Sequence, residues 1–183
     1  MSTHIVQEIQ KNLGYAELEK IDPNEGDNKE SVSSFGNHAI AQAAIPAILC
    51  GFADFVRYDE AARLLLNRTA GSDLLELIFG DGKKDLISRV SNYANTSLFE
   101  TEKEMEHIAN ETERIIIKLF PDRNNFEAIR QYFADQRHEI LSYLPGSLHI
   151  GELLHHDTLD DNTHKMEGPV SSFMHGVEKF FNE

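Results

Sequence analysis

The sequence predicts an all-α protein: a compact multi-helix bundle of short and medium helices. Three observations carry this. Apolar residues recur at helical spacing in nearly every segment, and no long stretch alternates apolar with polar residues as a half-buried strand would. Several breaks hold Pro, Gly or a helix-capping residue. With 183 residues, 40% of them hydrophobic and 26% charged, the chain is large enough for one core and lies away from disordered compositions.

Residues 3–20 read as a short helix broken near Gly14. IDPNEGDNKESVSS (21–34) then has the Pro, Gly, Asp, Asn and Ser content of a loop or linker. The chain therefore divides into an N-terminal helical arm with a polar linker (1–34), with room for loose attachment, and a single helical domain (35–183). From 36 to 56, Ala41, Ile45, Ile48, Leu49, Phe52, Phe55 and Val56 nearly surround a helix, the pattern of a central element. Pro46 is expected to kink that helix or to start its second half.

Short helices follow at 58–70, 72–79 and 83–94, with GDGK (80–83) as a turn. A longer one spans 98–120, with Thr96 or Ser97 as its N-cap and Pro121 as its stop. Another runs from 124 to 143, ahead of Pro145. Pro169 opens the last helix, which carries Val170, Phe173, Val177, Phe180 and Phe181 on one side, a face expected to dock on the core.

The balance of 17 basic against 31 acidic residues leaves −14 with histidine neutral, and no Lys/Arg cluster breaks it. Nucleic acid is excluded as a partner, because binding along the phosphate backbone needs such clusters, and anionic membrane surfaces are disfavoured. The acidity suits solubility, a basic protein partner or cations. A single Cys50 makes no internal disulfide and fits a reducing compartment. The first residues, MSTHIVQEIQKNLG, do not read as a signal peptide, so the cytoplasm is the expected location. The least polar run, 39–53, is shorter than the roughly 20 residues of a membrane span and reads as a buried helix.

Three phrases, AQAAIPAILCGF, LLELIFGDGKKDLISRVSNYAN and FADQRHEILSYLPGSLHIGELL, together spanning 41–154, resemble the YidB-like bacterial family of unknown function. The end, LDDNTHKMEGPVSSFMHGVEKFF, is similar to the tail of a narrower bacterial subgroup. The resemblance implies a helical bundle and leaves room for two related helical units, with AAIPAIL (43–49) and SYLPGSL (142–148) as equivalents. It implies no catalytic residues, because the family has none established.

Two acid-x-x-His motifs, Glu104 with His107 and Asp135 with His138, have the spacing used by di-iron bundles. Direction argues against that chemistry. With Met105, Ala109, Thr112, Ile116 and Leu119 facing inward, His107 points away, and Glu100, Glu104 and Glu111 share its outward face. With Phe126, Ile129, Phe133, Ile140 and Leu144 inward, Asp135 and His138 also point outward. His107 with Glu111, and His156 with Asp161, echo parts of a hemerythrin-type site, whose paired-His helix is absent. The single cysteine excludes zinc-finger and thioredoxin logic, no G-x-S-x-G is present, and GDGK lacks P-loop spacing.

The histidine-rich stretch HIGELLHHDTLDDNTHKMEGP (149–169) holds four of the nine histidines among five acids. Its turn-forming residues suit a loop that fastens the last helix. His155, His156, Asp160, Asp161 and His164 are the candidate ligands if the loop instead gathers a divalent metal such as zinc, since imidazole and carboxylate are adequate donors. Gln136 and Arg137 flank the inward stripe of their helix. A partly buried Arg137 is expected to pair with Asp54, Asp73 or Glu152 rather than to bind an anion.

The sequence thus predicts a non-enzymatic, soluble module with no cofactor that works through a protein partner or through self-association. The competing reading is a divalent-metal-binding protein or metalloenzyme built on the loop at 155–164. A third, a carrier of a small apolar ligand, requires a cavity beneath the helix at 39–53.

Overall fold

A computed structural model describes residues 4–21, 36–68 and 73–154, and among these there are helices and turns but no strand. The all-α architecture is therefore as the sequence predicts. In chain order come α1 (Ile5–Leu13), α2 (Asn37–Phe55), α3 (Asp59–Leu66), α4 (Leu74–Phe79), α5 (Lys83–Ala94), α6 (Leu98–Leu119), α7 (Phe126–Leu141) and α8 (Ile150–Leu153), the last a single turn. Two 3-10 turns, Gly80–Gly82 and Gly146–Leu148, join α4 to α5 and lead into α8.

α2 is the axis of the bundle. Every residue from Ala39 to Phe52 is buried, and the helix packs against α1, α4, α5, α6 and α7. By length and composition alone α2 could cross a membrane, but its apolar surface is covered by other helices of the same chain. Each Ile, Leu or Phe so buried contributes about 1.5–3 kcal/mol relative to exposure. Pro46 lies inside one continuous helix, although it removes the donor that the Gln42 carbonyl would otherwise receive. The run of alanines, with Gly51, lets neighbours come close; a Cβ at Gly51 would overlap the tip of the Phe79 ring and meet Ile78 at 3.0 Å.

The N-terminal arm is built into this core. Ile5, Val6 and Ile9 have no exposed surface, and α1 lies on α6 and α2. The break falls at Gly14, as the sequence reading has it: Gly14 adopts φ 74° and its N–H closes back on the Gln10 carbonyl, ending α1, and no helix resumes over residues 15–20. Residues 15–21 form a non-helical strap held by polar contacts. Gln42, the one buried side-chain amide of α2 and only 5% exposed, accepts from the Glu19 N–H at 2.8 Å and donates to the Glu19 and Tyr143 carbonyls at 3.0 and 3.1 Å. The Ile21 N–H adds a bond to the Ser142 carbonyl at 2.8 Å.

α6 and α7 start as their sequences dictate. The Ser97 hydroxyl accepts from the Glu100 N–H, and the Asn125 side chain accepts from the Ala128 N–H, each capping an open helix end. On α6 the buried stripe runs from Thr101 to Ile116. Leu119, expected to face inward, is 43% exposed because the stripe ends one turn before the helix does. The 3-10 turn and α8 after Pro145 were not legible as helix. Arg89 of α5 clamps them by donating to the carbonyls of Leu148 and His149 at 2.9 and 3.0 Å.

Candidate functional site

The candidate metal ligands His155, His156, Asp160, Asp161 and His164, and the amphipathic stretch from Pro169 to Phe181, lie outside the described residues. The two acid-x-x-His motifs are described, and they do not converge. His107, Asp135 and His138 are exposed. Asp135 accepts from the Gln131 amide at 2.7 Å.

The outward face of α6 is in part a covered face, contrary to its sequence reading. The Tyr15 hydroxyl donates to Glu104, and Asn12 donates to Glu111 at 2.7 Å, because the N-terminal segment lies across this side of α6. Burial and then the Glu104 carboxylate push the Tyr15 phenol far up, so it stays a donor. Glu111 is held below the usual carboxylate range, first by its bonds from Arg114. Both acids are thus engaged in holding the N-terminal segment.

A set of acids that the sequence did not reveal comes together elsewhere. Carboxylate oxygens of Asp73, Glu102 and Glu106 lie within 4.8 Å of one another. The Lys83 ammonium stands among them, bonded to Asp73 and Glu102, the latter at 2.7 Å, with Glu106 at 3.7 Å. The cation this arrangement needs is already supplied by the chain. Lys83 itself is only 8% exposed. Burial works to lower its pKa, but the bonds to Asp73 and Glu102 outweigh it and raise the value. For Asp73, burial works upward and is outweighed by the bonds from Lys83 and the Glu76 N–H, which hold the carboxyl low. A lysine so held keeps its proton and has no lone pair to offer as a nucleophile or base. The cluster joins α4, α5 and α6; the signal for it was the i,i+4 pair Glu102 and Glu106, two like charges on one helix face that call for a cation.

A cleft of about 510 Å³ opens between the C-terminal end of α2 and α7. Its apolar lining comes from Ala53, Phe133, Ala134, Ile140 and Leu141, with the Cys50 thiol among them. Asp54, Arg57, Arg130 and Arg137 supply the charged lining. Cys50 is 7% exposed, and no histidine is among the described residues that line the cleft, whose apolar wall and charged rim offer binding chemistry. The cleft lies against the C-terminal part of the helix read at 39–53, where Cys50 and Ala53 contribute to its lining.

The expectation of a partly buried, acid-paired Arg137 is corrected here. Gln136 is buried, and its Oε1 accepts from the Ile5 N–H at 3.3 Å, but Arg137 is exposed on the side of α7 that lines the cleft. One residue along a helix turns the side chain by about 100°, enough to carry it from the core to the rim. The three acids named for it meet other cations: Asp54 meets Arg57 at 3.2 Å, Asp73 meets Lys83, and Glu152 meets Arg89 at 3.3 Å.

Compared with protein-family models, curated proteins and solved structures, the chain matches none.

Proposed function

We propose that this chain is a non-enzymatic protein-interaction module that docks a basic partner at the start of α6. The observation that carries the reading is Leu98 and Phe99, consecutive residues of the first helical turn that leave 58% and 77% of their surface exposed. An aromatic ring so placed is the type of anchor that dominates protein interfaces. Its support is rigid: Ser97 caps the helix, and the Ser97 and Thr96 hydroxyls donate to Glu100 at 2.8 and 3.1 Å. A backbone so fixed loses little conformational freedom on binding.

Charge selects the kind of partner. The Ser97 and then Thr96 hydroxyls keep the Glu100 carboxyl below its ordinary range, so an ionised acid occupies the next position of the same helical turn. The whole chain carries −14, which sets two copies against each other and favours an apolar pocket ringed by Lys and Arg.

The test is site-specific photo-cross-linking with Phe99→benzoylphenylalanine in the producing cell, with Gln131→benzoylphenylalanine as an exposed control. One protein should be captured from position 99, displaced by added wild-type chain but not by Phe99→Ser, and lost as salt rises. The same capture pattern from both positions would defeat the proposal, as would capture that Phe99→Ser displaces equally well.

A further inference from the structure

We infer that the cleft between α2 and α7 binds a small amphipathic anion, an apolar chain carrying one carboxylate or phosphate head. Size is the first argument. A volume of about 510 Å³ lies within the roughly 300–1,000 Å³ typical of small-molecule sites, whereas a protein partner engages a broader surface.

Composition is the second. Phe133, Ile140 and Leu141 give the cleft an apolar wall, and polar groups gather at its rim, the division of labour that orients an amphipathic guest. Charge is the third and the most specific. In a chain with 31 acids and only 17 basic residues, three of the eight arginines, Arg57, Arg130 and Arg137, line this one cleft against a single lining acid, Asp54.

The arginines do not play equal parts. Arg130 is spanned by Asp59 at 2.6 Å and Glu127 at 3.0 Å, which fix it at the rim without leaving its fork to a guest. Arg57 meets Asp54 at 3.2 Å. Arg137 is exposed at the cleft and makes no ion pair with the described residues, so its planar fork is placed to take an anionic head in two parallel bonds. The apolar tail then lies along Phe133 and Ile140 towards Cys50.

That cysteine is the only one in the chain and reports on occupancy. The experiment titrates the full chain calorimetrically with sodium decanoate, decyl phosphate, decanol and decylamine, and follows alkylation of Cys50 by N-ethylmaleimide in parallel. One decanoate or decyl phosphate per chain should bind, the tighter of the two naming the head group, with decanol and decylamine at least about tenfold weaker. Arg137→Gln, an exposed position, should weaken the anion about tenfold, the worth of one charge-assisted contact. Ala134→Trp, also at an exposed position, should fill the cleft and abolish binding, and the bound anion should slow Cys50 alkylation. Equal binding of decanol, several anions per chain, indifference to Ala134→Trp, unchanged alkylation or no binding at all would each overturn the inference. Because Phe99 and the cleft involve different residues, failure here leaves the docking test at α6 standing.

Discussion

Replacing Lys83 with Met keeps the length of a buried side chain and removes the ammonium from among three carboxylates. The cost follows from the geometry. Oxygens of Asp73, Glu102 and Glu106 lie within 4.8 Å of one another, and at that separation each like-charge pair costs about 0.9 kcal/mol even in the dielectric of water. Three such pairs, with the lost charge-assisted bonds on one side and the outward freedom of carboxylates that are 38–44% exposed on the other, give a loss of about 2–3 kcal/mol. For a chain of this size that is a fall in Tm of about 5–10 °C. Calorimetry at low salt and pH 7 measures it.

The pH dependence gives a second reading with a definite sign. In the wild type, Asp73 is held below its ordinary range, so its contribution is present above the unfolded carboxyl pKa and fades as pH falls through the depressed value. Lys83, held high, contributes fully below its unfolded pKa and loses that contribution only as pH rises through the raised value. In Lys83→Met the three acids repel one another, so protonation relieves them. The gap between the two proteins should be widest near neutral pH and narrow towards about pH 4. Millimolar calcium should recover part of the loss in the variant only. A Tm within 1 °C of wild type, by the size scaling used above, or a gap that does not change with pH, would refute the reasoning.

Gly51→Ala should destabilise by about 1–3 kcal/mol, because the new methyl meets the Phe79 ring, and Phe79→Leu should restore part of it in urea melts. Gln42→Leu leaves the Glu19 N–H and the Glu19 and Tyr143 carbonyls without this partner, for a loss of about 1–3 kcal/mol limited by release of the strap to water. Its signature is faster amide exchange at Glu19 and Ile21, with α5 unchanged. On the interaction reading, elemental mass spectrometry of tag-free protein should find well below one zinc or other divalent ion per chain, with the same value for the His155→Ala, His156→Ala double variant. A full equivalent lost in that variant would move the function to the loop at 155–164.

The all-α class and the central place of α2 were legible because helical periodicity needs only local spacing. The outward direction of His107, Asp135 and His138 followed from the same geometry. Long-range company was not legible. Glu104 and Glu111 share the outward face by angle, yet Tyr15 and Asn12 reach them from 89 and 99 residues away. Lys83 looked like one more polar residue in GDGK, and only the fold brings it between acids on two other helices. Arg137 was misread because its angle lies at the border of the buried stripe, where a few tens of degrees separate packing in the core from lining a cleft.

The fastening of the strap also sets an order of events during synthesis. Gln42 shares its bonds with Tyr143, which is 101 residues further on, and the Ile5 N–H with Gln136, 131 residues away. At about 5–20 residues per second, Gln42 waits roughly 5–20 s on the ribosome for its last acceptor. Through that interval Ile5, Val6 and Ile9 have left the exit tunnel without the finished bundle that will cover them. A segment made well before α7 is thus completed only with it, and chaperone capture of nascent chains should peak before α7 has emerged.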